Sequence, residues 1–201
     1  MFEGKKNMGA TTFLFPTPIV LCGTYGKNGR ANLATLAWTG ICNSEPPAVQ
    51  ISVRPSRYTH ETILDKREFT VCVPSSSQSK IADFCGLVSG RDVDKPASAG
   101  LATTKGQFTN APLVAEFPVC MECRLIASLE LGSHDLFVGE VVAAWVDAKY
   151  LDEHGNADLR KLSPIAYAPV TGGAEYFAIG ESAGKSFSIG AAIKKIDGRT
   201  M

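Results

Sequence analysis

The chain has 201 residues, 45% of them hydrophobic, so it is long enough to form a single domain with an ordinary buried core. Its twenty basic residues balance its twenty acidic residues, which argues against a nucleic acid or an anionic membrane surface as the main partner. A small ligand or another protein is therefore the expected partner.

The six cysteines lie mostly in apolar runs, such as FTVCVP and PVCMECRL, where a reduced thiol packs as a small hydrophobic side chain. This usage indicates a reducing, cytoplasmic interior. The apolar runs also stay short of the roughly 18–20 residues that span a bilayer, because Glu140 interrupts the run LFVGEVVAAWV. We therefore expect a soluble cytoplasmic protein.

Strands dominate the first quarter of the chain. The run TTFLFPTPIVLCG predicts the first strand, and Asn28-Gly29 predicts a hairpin to the second because both residues tolerate a positive φ. In PPAVQISVRP, Val49, Ile51 and Val53 alternate with polar residues. One face of this strand is therefore apolar, and the other is wet or holds a ligand.

Two helices are predicted in the next part of the chain. The first has Thr59 as its N-cap, with Tyr58 contacting Ile63 as a hydrophobic staple. A strand at REFTVCVP follows. Residues 75–88 form the second helix, because apolar residues recur there at helical spacing until Gly90 ends the pattern.

Residues 91–112 are predicted to form a loop rich in Gly, Ala, Ser and Thr, and loops of this length are often functional. Two long strands follow in EFPVCMECRLIASLEL and HDLFVGEVVAAWVDAKYL, joined through Gly132-Ser133, and AEYFAIGE predicts a further strand. Many strands separated by turns, with few helices, favour an antiparallel β-barrel over a fold of alternating strands and helices.

Cys120 and Cys123 have the spacing of redox dithiols and of zinc knuckles. On a strand, however, residues three apart face opposite sides of the sheet, so one sulfur turns away from the other. The sequence contains neither a second such pair nor paired histidines that could complete a metal site. Both cysteines are therefore interpreted as core residues, and no metal is predicted.

Several common enzyme signatures are missing from the sequence, namely G-x-S-x-G, the Walker loop and G-x-G-x-x-G. The stretches GLVSG and VTGGAEY are weak glycine signals. The segment SVRPSRYTHETI, residues 52–63, instead crowds two arginines and several hydroxyls onto a helix start. A helix N-terminus offers unpaired N–H groups and the positive end of a dipole, so the segment predicts an anion site, with a well-capped turn as the alternative.

The combination N-x-A-T-x-A-W-T, a double proline and I-S-V-R-P-S-R-Y-T-x-E-x-I resembles the flavin reductase-like family of FMN-binding split barrels, and within it most closely the flavoredoxins. The resemblance runs from Phe13 to Gly180. Residues 1–201 are interpreted as a single flavin reductase-like FMN-binding domain, with a core at about 13–180 and a C-terminal tail at 181–201. The resemblance implies a mainly β fold, a Greek-key split β-barrel with a few short helices, which forms a homodimer and holds FMN near the subunit boundary.

The resemblance also implies which residues line the flavin pocket. They are Asn32, Trp38, Thr59, Lys95, His134 and Tyr167. Thr59 would lie at the phosphate end, Lys95 would balance phosphate charge, and Tyr167 would offer an aromatic surface. His134 would donate a hydrogen bond to the flavin or the phosphate. Ser52 and Arg57 are added because their side chains suit the phosphate or the pocket face. An ordinary strand serine and a solvated arginine are equally good interpretations of these two residues.

The implied function is that of an FMN-dependent oxidoreductase or electron carrier of the flavoredoxin type, which relays electrons through bound FMN. The alternatives are an NAD(P)H-dependent flavin reductase that supplies reduced flavin and a noncatalytic flavin-binding module. Hydride delivery to a flavin does not require a protein acid or base, so no catalytic residue is assigned. NAD(P)H as a transient donor and a redox protein partner are expected beside FMN, whereas a nucleic acid or a membrane is not.

Overall fold

The computed structural model describes residues 3–191, so residues 192–201 of the predicted tail lie outside the described part, as do residues 1–2. The described part is mainly β, as predicted. Its strands are β1 (Thr17–Pro18), β2 (Val20–Tyr25), β3 (Ala31–Leu36), β4 (Thr39–Ser44), β5 (Pro47–Val53), β6 (Glu68–Val73), β7 (Thr103–Lys105), β8 (Pro112–Val114), β9 (Val119–Glu130), β10 (Asp135–Val146), β11 (Ile165–Val170) and β12 (Gly173–Ala178). Its α-helices are α1 (Tyr58–Lys66), α2 (Ser79–Leu87), α3 (Lys95–Ser98) and α4 (Leu159–Leu162).

Seven strands form one antiparallel sheet in the order β3-β2-β6-β9-β10-β5-β4. Its two outermost strands, β3 and β4, follow each other in the chain and are separated by Ala37 and Trp38 alone. Neighbouring strands lie about 4.8 Å apart, so two residues cannot cross a flat sheet of this width, and the sheet must curl until its ends meet. The result is a barrel with a seam at Trp38, where Ser52 N donates to Trp38 O at 2.8 Å.

Two hydrophobic clusters pack on the two faces of the curled sheet. The inner cluster joins strands that are far apart in the sheet order, and it consists of Val20, Cys22, Val49, Ile51, Val53, Ile63, Phe69, Val71, Cys123, Leu125 and Phe137. The outer cluster consists of Ile19, Leu21, Leu33, Cys72, Ala82, Cys85, Leu101, Val114, Phe117, Cys120 and Ile165. The predicted alternation in β5 is confirmed, because its apolar residues fill the barrel and its polar residues face outward.

The hairpin prediction and the interpretation of the Cys-x-x-Cys spacing are also confirmed. β2 and β3 pair antiparallel, and Gly29 between them has a φ of 75°. Cys120 lies in the outer cluster and Cys123 in the inner cluster, so the two sulfurs lie on opposite faces of the sheet. Residues 3–191 contain no group of three or more His, Cys, Asp or Glu side chains that could hold a metal ion. Within the same range, every helix is too short or too polar to cross a membrane.

Helix α1 begins two residues earlier than predicted. Its N-cap is Arg57, in an extended conformation, so the prediction that Thr59 caps the helix was wrong. The cause is a tight turn, which is closed by a hydrogen bond of 2.9 Å from Arg57 N to Arg54 O. The helix begins directly after this turn. Tyr58 is therefore the first helical residue, and its ring lies against the Arg91 guanidinium at 5.3 Å instead of forming the predicted staple.

The segment predicted as a second helix and the loop after it are more finely divided than expected. A 3₁₀ turn at Ser76–Gln78 precedes α2, which ends at Leu87 rather than near Gly90. The predicted loop 91–112 contains α3 and β7 and reaches the start of β8. Asp94 caps α3, because its side chain accepts a hydrogen bond of 3.1 Å from Ala97 N.

Strands β4, β8 and β11 were not predicted. The strand β11 forms a separate three-stranded sheet with β1 and β12. It contains Pro169, and a proline within an apolar run argues against a strand with two neighbours. The structure accommodates it because β1 is only two residues long and pairs with Tyr167 and Ala166, so Pro169 lies beyond the end of that ladder.

Glu122 organises the loop between β7 and β8. Its carboxylate is fully buried and accepts hydrogen bonds from the backbone N–H groups of Gln107, Phe108 and Thr109 at 2.7–3.1 Å. Trp145 Nε1 donates to the same carboxylate at 2.9 Å. Burial alone raises the pKa of Glu122, but these donors together outweigh it and hold the pKa below its usual value.

Candidate functional site

A groove runs along the barrel seam, from the start of α1 to the side chains around Trp38. Its first part is a cavity of about 380 Å³ lined by β3, the end of β5, the first turn of α1 and the segment between α2 and α3. Its second part has a volume of about 340 Å³ and reaches Trp38, His134, Tyr167 and Tyr176. Ser52 and Arg57 line both parts, so the groove is continuous.

The end of the groove at α1 is cationic. Arg54, Arg57, Arg91 and Lys95 line it, together with the carboxylate of Asp92. The guanidinium of Arg91 is fixed in position, because it donates to Ser56 O at 3.2 Å and to Glu61 Oε2 at 2.7 Å. The predicted anion site therefore has several positive side chains near one another.

The start of α1 adds backbone donors to this cationic end. His60 N donates to Arg57 O at 3.0 Å, whereas the N–H groups of Tyr58 and Thr59 precede the helical hydrogen-bonding pattern. Both residues line the cavity. The positive end of the helix dipole therefore faces the same space as the arginines.

Asn32 connects β3 to α1 in the wall of the cationic end. Its Nδ2 donates to Thr59 Oγ1 at 2.9 Å, and both side chains are buried. Asn32 Oδ1 is also buried, yet it has no hydrogen-bond partner among residues 3–191. Gly90 leaves room for this amide, since a Cβ at Gly90 would lie 2.7 Å from Asn32 Cγ and 2.9 Å from Tyr58 Cδ1. A buried acceptor without a partner costs about 1–3 kcal/mol, so Oδ1 indicates a ligand that brings a donor.

Lys95 lies in the wall beneath the groove and is 4% exposed. Its Nζ donates to Leu33 O and to Cys85 O, each at 2.7 Å. An ammonium group has three N–H donors, so one more is available to a ligand in the cavity. Burial, reinforced by the nearby charge of Arg57, lowers the pKa of Lys95 to about 8. An anion in the groove would favour the charged form.

The other end of the groove is aromatic. Trp38 is 48% exposed, and its ring is nearly parallel to that of His134, with an interplanar angle of 3° and centroids 6.1 Å apart. Tyr167 lies 6.2 Å from Trp38 and 6.3 Å from Tyr176. Tyr176 Oη donates to Asp83 Oδ1 at 3.1 Å, which fixes the outer ring of this group. A flat, apolar molecule could pack against these side chains.

Burial at this aromatic end lowers the pKa of His134, and the charge of Arg54 lowers it further, so both effects favour the neutral imidazole. Its Nδ1 lies 3.0 Å from Ser133 Oγ. The next residue, Asp135, places Oδ2 2.6 Å from His60 Nε2, so β10 is tied directly to α1. The helix at one end of the groove and the strand at the other end are therefore joined.

A further cavity of about 480 Å³ adjoins the aromatic end. It is enclosed by residues 11–15 of the N-terminal segment and shares Trp38 and Tyr167 with the groove. Gln50 Oε1 and Thr17 Oγ1 belong to residues that line it, and both atoms are buried without a hydrogen-bond partner in the described part of the chain. The cavity therefore offers hydrogen-bonding groups within a largely apolar wall.

The structure brings together every residue that the sequence predicted for the site. Asn32, Trp38, Ser52, Arg57, Thr59, Lys95, His134 and Tyr167 all line the groove. His134 lies at the aromatic end, away from the start of α1. Gly90, Arg91 and Tyr176 also line the groove and were not predicted, whereas Arg54 is one of the two arginines of the predicted anion site. Gly90 and Arg91 lie in the sequence stretches GLVSG and RDVDKP. No pattern in these stretches indicates that they fold against β3 and α1.

Comparisons with known proteins give a consistent result. A model of the flavin reductase like domain matches residues 12–168. YddH of Escherichia coli (strain K12) is 34% identical over 147 residues, which are 72% of this chain and 78% of that protein. Flavoredoxin of Desulfovibrio vulgaris (Miyazaki F) is 41% identical, with a TM-score of 0.86 over 92% of this chain and 99% of that one. Flavoredoxin from Methanosarcina acetivorans is 34% identical, with a TM-score of 0.87 over 94% and 98% of the two chains.

These similarities confirm both the predicted fold and the resemblance to flavoredoxins. A structure from Shewanella frigidimarina that is described as having a split barrel domain superposes with a TM-score of 0.74 over 86% of each chain, at 21% identity. The curled seven-stranded sheet is thus a split β-barrel. Because the family model covers most of the sequence, the chain belongs to the flavin reductase-like family.

Proposed function

We propose that this protein binds FMN and is a flavin-dependent oxidoreductase of the flavoredoxin type that relays electrons through the bound cofactor. The observation that carries the proposal is the continuous groove, cationic at α1 and aromatic at Trp38. FMN has the matching polarity, with an anionic phosphate at one end and a flat ring system at the other. When bound, FMN supplies one-electron and two-electron redox chemistry.

At the cationic end, the residues present fit a phosphate. The N–H groups of Tyr58 and Thr59 would donate to it, and Arg57 would neutralise its charge. Thr59 Oγ1 already accepts from Asn32, so its own hydrogen is free to point into the groove. Lys95 would contribute its third N–H and gain the charged state from the anion.

Next to the phosphate site, Asn32 Oδ1 would accept a hydrogen bond from a hydroxyl or N–H of the ligand, which would relieve an unpartnered buried atom. Trp38 and Tyr167 would pack against the ring system and exclude water from it. The neutral imidazole of His134 would donate or accept a hydrogen bond at the ring edge without adding charge. Ser52 would offer a small polar group between the two ends.

We infer that two copies of the chain form the working unit. Trp38, which lines the groove, is 48% exposed, and Ile41 on the neighbouring strand β4 is 85% exposed, although both are large apolar side chains. Leu129 and Leu131, at the end of β9 and just beyond it, are also more than half exposed. Such side chains are typical of surfaces that a partner covers. Light scattering should give the dimer mass, and a monomer at micromolar concentration would contradict a site at a subunit boundary.

The two flavoredoxins support the electron-relay function, because they are the named proteins that match this chain at 41% and 34% identity over almost its whole length. A redox protein is then the expected partner.

The cavity beside Trp38 favours a second candidate, an NAD(P)H-dependent reductase. In this cavity, Gln50 Oε1 and Thr17 Oγ1 have no hydrogen-bond partner in the described part of the chain. They could hold a small donor molecule next to the flavin ring.

Spectroscopy of the purified protein tests the cofactor assignment. We expect FMN to stay bound through desalting, so that its visible absorption bands elute with the protein peak. A protein that loses all flavin and fails to bind added FMN would refute the proposal.

A donor assay then separates the two candidates. Steady oxidation of NAD(P)H supports the reductase, whereas reduction by a ferredoxin-like system without NAD(P)H oxidation supports the relay. A bound FMN that neither donor reduces would indicate a noncatalytic module.

A further inference from the structure

Cys72 and Cys120 face each other across neighbouring strands in the outer cluster, apart from the flavin groove. They are direct register partners of the antiparallel strands β6 and β9, and their Sγ atoms are 2.6 Å apart. Register partners in antiparallel strands have Cα atoms about 4.5–5.5 Å apart. This range lies inside the roughly 4.4–6.8 Å that a disulfide requires, so the two sulfurs could bond without a movement of the backbone.

Within residues 3–191, Cys22, Cys42 and Cys123 have no cysteine as a register partner, and Cys85 lies on α2 rather than on a strand. Cys22 pairs in register with Val71 on one side of β6, and Cys123 pairs with Phe69 on its other side. Cys22 and Cys123 are therefore separated by two strand spacings, about 9.5 Å across the sheet, and are also offset by two residues along it, which is too far for a disulfide. Cys42 is exposed on β4. The pairing of Cys72 with Cys120 is thus a specific feature of the fold.

Cys120 is also the member of the pair that a small molecule can reach. It lines a cavity of about 280 Å³ that opens between Phe117, Trp145 and Thr104, and it is 4% exposed. Cys72 has no exposed surface and does not line the cavity. One thiol therefore lies at the end of an access path, and the other lies behind it.

We propose that Cys72 and Cys120 form a redox-active dithiol that hydrogen peroxide oxidises to a disulfide through this cavity. The sulfur of the Cys120 thiolate attacks one peroxide oxygen, the O–O bond breaks, and the departing oxygen leaves as water after protonation, with Cys120 as a sulfenic acid. The sulfur of Cys72 then attacks the Cys120 sulfur, the S–S bond forms, and the S–O bond breaks with release of a second water. The two thiols lose two electrons and two protons, and hydrogen peroxide is reduced to two waters.

The electrostatics of the pair agree with these roles. A hydrogen bond from the Cys72 thiol lowers the pKa of Cys120, although burial opposes the effect. Burial raises the pKa of Cys72, so this residue remains the thiol of the pair. The accessible sulfur is therefore also the one that ionises more readily, as an attacking thiol must.

Oxidation of the intact protein tests the proposal. After treatment with hydrogen peroxide, in a Cys42→Ser background that prevents cross-linking between molecules, we expect the mass to fall by that of two hydrogen atoms. Peptide mapping should locate the link between Cys72 and Cys120, and two fewer thiols should react under denaturing conditions. In Cys72→Ser, Cys120 should instead accumulate a sulfenic acid that a dimedone probe traps. The control Cys123→Ala should still form the disulfide.

The wild-type chain decides the question even if a variant fails to fold. If Cys72 and Cys120 of the wild-type chain both still react with a thiol reagent after peroxide treatment, or if a disulfide joins either of them to another cysteine, the proposal is overturned. A dimedone adduct on Cys123 or Cys22 rather than Cys120 in the Cys72→Ser variant would also contradict it.

Discussion

Asn32 Nδ2 donates a hydrogen bond of 2.9 Å to Thr59 Oγ1. This bond joins β3, at one edge of the seven-stranded sheet, to the second residue of α1. The bond fixes which way each group faces. It orients the Asn32 amide so that Oδ1 is left for a ligand, and it occupies a lone pair of Thr59 so that its hydroxyl hydrogen can point into the groove.

Replacement of Thr59 by valine should weaken FMN binding by about tenfold and destabilise the protein by about 1–3 kcal/mol, because the buried Asn32 amide loses its acceptor. Thr59→Ser keeps the hydroxyl and serves as the matched control. FMN titration and urea unfolding measure the two effects. Equal affinities for the valine and serine variants would mean that this hydroxyl does not contact the cofactor.

Gly90→Ala should also weaken FMN binding, by about tenfold or more, because the new methyl group would collide with the Asn32 amide and the Tyr58 ring. The control is Gly173→Ala on β12, where a Cβ has no neighbour within 4 Å. FMN titration of both variants is the measurement. Unchanged affinity in Gly90→Ala would show that Asn32 can move without consequence for the ligand.

FMN affinity should fall as the pH rises above about 8, because the free protein then loses the proton of Lys95 that a bound phosphate would retain. The expected loss is about tenfold between pH 7 and pH 9. Titrations across this range check it, and Lys95→Met should bind more weakly at pH 7 but with a flatter pH profile. An equally steep profile in Lys95→Met would assign the effect to another group.

The same lowered pKa of Lys95 has the opposite consequence for the free protein. Its folded-state pKa of about 8 lies below the unfolded value of about 10.4, so burial of the charged form costs stability at neutral pH. Between these two values the unfolded state binds more protons, and the free energy of unfolding should rise with pH. Urea unfolding of cofactor-free protein at pH 7.5 and 9.5 measures the change, and Lys95→Met should lack it.

Trp38→Ala should reduce FMN affinity by about tenfold, whereas Trp38→Phe should keep most of it, because the interaction depends on an aromatic face. The second tryptophan provides a control for fluorescence. Trp145 lies beside Phe108 and Glu122, away from the groove, so FMN should quench the emission of Trp38 more than that of Trp145. If Trp145→Phe removes the quenched signal, the ring end of the site is misassigned.

Glu122→Gln should destabilise the protein by about 3 kcal/mol, since a neutral amide cannot accept from all the donors that converge on the carboxylate. The pKa of Glu122 is lowered in the folded state, so its contribution is present above the unfolded pKa and is lost as the pH falls through the folded one. Urea unfolding at pH 7 and pH 4 should show a smaller difference between variant and wild type at the lower pH.

Much of the fold could be predicted from local patterns. The alternation at Val49, Ile51 and Val53 and the turn at Gly29 are short-range signals, and both are confirmed. The strand β11 was not predicted because Pro169 lies within its apolar run and because one of its two neighbours, β1, is remote in sequence and only two residues long. The boundary of α1 was wrong because a turn at Arg54, rather than the capping preference of Thr59, determines where the helix begins.

The site could be predicted in part for a related reason. Asn32, Trp38 and Thr59 lie within one short stretch of the chain, where a motif can be recognised from the sequence alone. Arg91 and Tyr176 were not, since their positions depend on contacts made over long stretches of chain. Arg91 reaches Glu61 across 30 residues, and Tyr176 reaches Asp83 across 93. Pairings of this kind follow from the topology of the barrel and have no signature in a single sequence.

The two-residue connection at Ala37-Trp38 has a consequence for the order in which the molecule is built. β3 and α1 contribute one wall of the groove and the end of β5 another, and these walls face each other only after the first and last strands of the sheet have met. A partly folded chain therefore has no place for the cofactor. A ligand of the finished groove would slow the opening of the barrel while leaving the rate of its closure unchanged.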